Sequence, residues 1–113
     1  MSIVTTQDNI VVVTGTIIMP EANESSIQGS VDVNYPLGFN KDNCAVLSVM
    51  SHNTSHTDWW STPKYSGMPS SSIAGNGDTC VMLKPNNITI QSHKVNTSEP
   101  RKDVTFKVVL IKV

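Results

Sequence analysis

Residues 28–50, QGSVDVNYPLGFNKDNCAVLSVM, alternate apolar and polar side chains on either side of a proline-glycine turn. Gly29, Val31, Val33 and Tyr35 fall on one side, and Gln28, Ser30, Asp32 and Asn34 on the other. That period of two belongs to a half-buried antiparallel strand. Pro36 has no N–H to continue a ladder and Gly38 tolerates positive φ, so Pro-Leu-Gly-Phe-Asn reads as a turn, after which Cys44 to Met50 runs back. The pattern predicts a β-hairpin from residue 27 to about residue 51.

The rest of the chain extends the same reading. Val4 to Thr6 predicts a short first strand and Asn9 to Met19 a longer one, in which Gly15 suggests a bulge or bend. Thr79 to Lys84 and Asn87 to Ser92 predict a second hairpin about Pro85-Asn86. In DVTFKVVLIKV, residues 103–113, Val104, Phe106, Val108 and Leu110 share one face, while the other begins polar with Thr105 and Lys107 and turns apolar at Val109, Ile111 and Val113. A strand apolar on both faces must be covered twice, which marks Val109, Ile111 and Val113 as candidates for an oligomer interface, the alternatives being a second layer of the same chain and an exposed, aggregation-prone edge. Between His52 and Asp78 the chain is dominated by Ser, Thr, Gly, Pro and Asn, with Trp59 to Ser61 and Ser71 to Ala74 as the places for a hidden strand. Together these segments predict a single all-β domain over residues 1–113, a compact antiparallel β-sandwich of jelly-roll-like form.

Composition narrows the function classes. A chain of 113 residues buries roughly 65% of its unfolded surface, enough for one core. Ser, Thr and Asn supply about a third of it, and valine is abundant, the reverse of a helical composition. The formal net charge of -1 leaves no electrostatic footprint for nucleic acid or an anionic membrane. No apolar run approaches the ~20 residues that span a bilayer, and the N-terminus lacks the basic and apolar regions of a signal peptide, so neither membrane insertion nor secretion is expected. Cys44 and Cys80 sit inside strand patterns and read as buried thiols, with a disulfide open only if they face each other across the sandwich. The four N-x-S/T sequons at Asn23, Asn53, Asn87 and Asn96 arise easily in such a composition and carry no assignment.

Few residues offer chemistry. The histidines are His52, His56 and His93, and none sits in a catalytic motif; no catalytic residue is assigned, no cofactor is expected, and the chain reads as a non-enzyme. His52, His56 and Asp58 form an HxxxH-x-D cluster that is a weak metal candidate, lacking a further ligand unless a symmetry axis supplies one. Trp59-Trp60 with Tyr65 is the stronger feature. Adjacent residues in extended chain point to opposite sides, so at most one tryptophan enters the core. An exposed ring beside Asp58, Asn53, Ser61 and Asn76 has the makings of a saccharide platform, the alternative being that both rings cap the sandwich or pack between subunits.

The strand ending in an aromatic and proline, then Gly38-Phe39-Asn40, a short polar spacer, Asn43-Cys44 and an apolar strand, resembles the small C-terminal domains of phage tail and minor structural proteins from Firmicutes. The closing strand, residues 103–113, is similar to the apolar, lysine-alternating ending of those domains, and the two segments cover about a third of the chain. The resemblance implies a β-sandwich at the end of a tail fibre or baseplate appendage, in the virion and made in the cytoplasm of a bacterial host. It further implies a homotrimer that contacts a glycan or protein of the host cell surface. Such domains differ most in their loops, so no binding residue transfers. The alternatives are a carbohydrate-binding module of a bacterial enzyme, which would work as a monomer, and a purely structural trimerisation domain.

Overall fold

The computed structural model describes residues 3–7, 9–53, 59–61, 78–93, 97–98 and 100–113. Eight strands are present among them: β1 (Ile3–Gln7), β2 (Ile10–Ile17), β3 (Gln28–Val33), β4 (Cys44–Asn53), β5 (Trp60–Ser61), β6 (Asp78–Leu83), β7 (Ile88–His93) and β8 (Val104–Lys112). They form a five-stranded sheet of order β1-β2-β8-β4-β5 and a three-stranded sheet of order β3-β7-β6. Every pairing is antiparallel. The all-β chain is thus built as two antiparallel sheets around one core, consistent with a β-sandwich.

The core follows from alternation along each strand. Val11, Val13 and Ile17 of β2, Val104, Phe106, Val108 and Leu110 of β8, and Cys44 of β4 point inward from the larger sheet. Val33, Val81, Ile88 and Ile90 meet them from the smaller one, with Met19 and Phe39 closing the ends. Val31, Tyr35, Val46, Val49 and Leu83 pack partly buried against this cluster. On β3, Gly29 lies so close to β2 that a Cβ there would stand 2.7 Å from Met19 Sδ and 2.8 Å from the Ile18 carbonyl oxygen. The crossing leaves no room for a side chain.

The expected hairpin over residues 27–51 does not form. Both arms are strands, but β3 pairs with β7 in the small sheet and β4 pairs with β8 in the large one. Alternation fixes which side chains face inward and is silent on which strand lies alongside. Here β4 finds a longer partner in β8, running from Cys44 opposite Lys112 to Asn53 opposite Val104. The connection 34–43 therefore crosses between sheets. Its Phe39 N–H donates to the Pro36 carbonyl at 2.9 Å, and Gly38 takes the positive φ of 86° that the sequence anticipates. The Asn40 side chain accepts from the Asp42 and Asn43 N–H groups, while Asn43 accepts from the Asn40 N–H at 2.7 Å and donates to the Gly38 carbonyl at 2.9 Å. The Gly-Phe-Asn and Asn-Cys elements thus hold the shape of a sheet-to-sheet crossing.

The bulge expected at Gly15 is absent, because β2 runs in unbroken register along β8 through Gly15 opposite Phe106. It falls instead in β4, where the register shifts between Val46 and Ser48. The extra residue, Leu47, is 59% exposed. The other elements stand close to their expected places: the β6–β7 hairpin closes with the Lys84 N–H donating to the Asn87 carbonyl at 3.0 Å, and β5 is the short strand expected at Trp59 to Ser61. Ser71 to Ala74 lie outside the described residues.

Side-chain ties join the connections at each end. At one end the Tyr35 hydroxyl donates to the Lys84 carbonyl at 2.8 Å, and the Val113 N–H donates to the Asn43 carbonyl at 2.9 Å. Burial above all, with Cys44 and Asp42 nearby, pushes the Tyr35 phenol up and keeps it a donor. At the other end Arg101 donates from Nε and Nη2 to the two oxygens of Asp103, at 2.9 and 2.8 Å, and from Nη1 to Glu21 at 3.0 Å. Asp103 Oδ1 also accepts from the Met19 N–H at 3.0 Å, fastening the β2–β3 connection to the start of β8.

The Arg101 guanidinium, helped by the Met19 N–H and outweighing partial burial, holds the Asp103 carboxyl below its ordinary value. A folded value below the unfolded one gives stability that is present above the unfolded value near pH 4 and lost as pH falls through the folded value. We expect Asp103→Asn to cost about 1 kcal/mol at pH 7, discounted for solvent screening. The variant should also show a shallower loss of urea stability than the parent between pH 4 and pH 2. Identical pH slopes for the two proteins would remove Asp103 from the account.

Candidate functional site

The outward face of the five-stranded sheet is laid out in rows by its register. Ile10, Ile111 and Ala45 form one row, and Val12, Val109 and Ser48 the next. Thr14, Lys107 and Met50 follow, then Thr16, Thr105 and His52. The face therefore divides into an apolar half, to which the bulged Leu47 adds, and a half rich in hydroxyls that carries one cation.

Trp59 lies over the second half. Lys107 Nζ stands 3.9 Å from the centre of its ring, and the His52 ring meets it edge to face with centroids 4.4 Å apart. Both contacts are within the range of favourable cation–π and aromatic interaction. The indole is still 38% exposed. It is a held ring with accessible surface, resting against the sheet from the residue just before β5. Beneath it, His52 Nδ1 is buried and has no hydrogen-bond partner, an unsatisfied group of the kind that native interiors rarely leave.

The sequence-derived site is only partly assembled. Trp59 and His52 are brought together, whereas Asp58, Tyr65, His56 and Asn76 lie outside the described residues, and of Trp60 and Ser61 only the backbone, paired through β5 with β4, is described. Asn53 is a correction. Read as an exposed polar group beside the ring, it is the last inward residue of β4, 4% exposed and opposite Val104. The bulge at Leu47 sets that phase, and the sequence carries no visible sign of it. No group of three metal-ligating side chains occurs among the described residues. Lys107 was missed as a site residue. Its outward position is visible in the alternation of residues 104–112, but its neighbours Trp59 and His52 follow only from the β4–β8 pairing.

The proposed interface residues fall in different settings. Val109 and Ile111 project from a central strand, half-buried among the apolar rows, and Val113 lies past the end of β8 and is 80% exposed. A terminal strand left as a bare sheet edge is excluded, since β8 is flanked by β2 and β4.

Cys44 and Cys80 are free and buried, and burial pushes both thiols up. Cys44 points into the core and its Sγ donates to the Asn40 carbonyl at 3.2 Å. Cys80 stands opposite Gln91, one residue out of phase with the inward pair Val81 and Ile90, and so faces away from the core. The two cannot meet across the sandwich.

Neither protein-family models, nor curated proteins, nor solved structures give a match to this chain.

With one thiol inward and the other on the far side of the second sheet, we expect neither to react with a thiol reagent in native buffer over minutes and both to react in denaturant. Mild oxidation should leave the chain without an internal disulfide, as read by intact mass. A Cys44–Cys80 bridge in the peptide map would contradict the register.

Proposed function

We propose that this chain is a non-catalytic recognition domain at the tip of a phage tail fibre or baseplate appendage, working as a homotrimer that binds a host cell-surface receptor, a glycan before a protein. Trp59 carries the reading. An indole fixed by a cation on its face and a histidine at its edge is already ordered before it meets a ligand, which lowers the entropic cost of binding. Large aromatics in such positions dominate binding energy at recognition surfaces. The membership in phage tail proteins rests on the resemblance of residues 28–50 and 103–113.

Two further observations fit. The pairing of β2 with β8 encloses the pairing of β3 with β7 in chain order, the nesting expected of a jelly-roll-like wrap. The apolar rows of Ile10, Val12, Val109 and Ile111 give a trimer a surface to bury away from the Trp59 half of the same face. A monomeric carbohydrate-binding module would share the platform and leave those rows open.

Light scattering at micromolar concentration should give a mass three times 12.3 kDa; a monomer would shift the reading to the appended module. Trp59→Ala should reduce binding of the labelled protein to a panel of Firmicutes cells by at least about tenfold, with unchanged circular dichroism. Undiminished binding would remove Trp59 from the site.

A further inference from the structure

Resting on the reading of Trp59 as a glycan platform, we propose that this platform selects saccharides that bear an anionic group, a carboxylate or a phosphate, over neutral ones. Lys107 carries the selection. Its ammonium sits against the indole, and no carboxylate among the described residues pairs with it: Asp42 pairs with Lys41, Asp32 with Lys84, and Glu21 and Asp103 with Arg101. The outward residues of β2, β4 and β8 around it are Thr14, Thr16, His52, Met50 and Thr105, none of them acidic. The sequence of β1, the remaining described neighbour of β2, has no charged residue either.

The ammonium is held over an aromatic ring with no counter-anion among the described residues. Here the indole supplies partial compensation through its π face, leaving the ammonium able to donate to a ligand anion. Charge-assisted hydrogen bonds of that kind are about twice as strong as neutral ones. The threonine hydroxyls beside it suit the hydroxyls of a sugar ring, and the indole offers the apolar surface such a ring needs to stack. Beside the ring, His52 Nδ1 is buried without a hydrogen-bond partner among the described residues, which marks this as a polar place.

The test is an array of uronate-bearing, phosphate-bearing and neutral oligosaccharides, followed by titration of trigalacturonate against its methyl ester, in which a methyl group removes the charge of each carboxylate. The wild-type protein should bind acidic members at least about tenfold more tightly than neutral counterparts, with affinity falling as salt rises. The uronate and phosphate arms separate the two sources of the anion. Lys107→Met should lose the preference, and Lys107→Arg should keep most of it, which guards against a folding defect in the first variant. Equal binding of acidic and neutral members by the wild type, or a preference that survives Lys107→Met, overturns the selectivity; if Trp59→Ala still abolishes binding in that case, the platform itself stands. Binding that Trp59→Ala leaves intact, or an array on which no glycan is retained, brings down both.

Discussion

The insertion of β8 between β2 and β4 is the contact on which the rest of the structure depends. Without it the five-stranded sheet falls into two separate hairpins, β1–β2 and β4–β5, neither of which has a partner long enough to bury its inward face. Val104, Phe106, Val108 and Leu110 form an unbroken row of side chains at most 1% exposed. Burial of such side chains is worth about 1.5–3 kcal/mol each, so one strand carries a stabilisation comparable to the whole net stability of about 5–15 kcal/mol for a typical domain. The pairing is also long-range: residues near the two ends of the chain must meet before the large sheet exists, an ordering cost that slows folding of such topologies.

The same strand organises the surface. Its outward residues sit in the middle of the sheet, so what they present is flanked on both sides and held rigid. Ile111 and Val109 lie with Ile10 and Val12, while Lys107 and Thr105 lie with Thr14, Thr16 and His52. One alternating sequence thus places an apolar surface and a polar, cationic one on a single face, and the Trp59 ring rests on the second. Groups presented on a strand are positioned more firmly than groups on loops alone, and Lys107, projecting from the central strand, in turn holds the indole of Trp59.

Local features were legible in the sequence and non-local ones were not. The period of two in residues 104–112 identified the buried row, Pro85-Asn86 marked the hairpin of β6 and β7, and Gly38 marked the positive-φ turn, because each is decided by residues within a few positions. The partner of β3 is decided elsewhere. A proline-glycine turn between two alternating runs looks alike whether the runs pair with each other or cross between sheets, and the Asn40 and Asn43 side chains that shape the crossing read simply as turn formers. Leu47 gave no sign of being the bulge, since an apolar residue in an apolar strand breaks no pattern, and the shift it introduces is what turned Asn53 inward. Gly15 misled for the opposite reason: a glycine in a strand suggested a bulge, whereas here it stands in regular register opposite the large Phe106. The site shared this division. Trp59 was conspicuous as part of a tryptophan pair, but Lys107 entered only when pairing brought β4 and β8 side by side.

Amide hydrogen exchange followed by NMR tests the dependence on β8 most directly. If that strand holds the molecule together, the amides of Val108, Val109 and Leu110 exchange only through global unfolding, with a free energy equal to that measured in urea and no smaller than that of any amide in β3, β6 or β7. Exchange of those amides through a smaller local opening, while the three-stranded sheet stays protected, would contradict it.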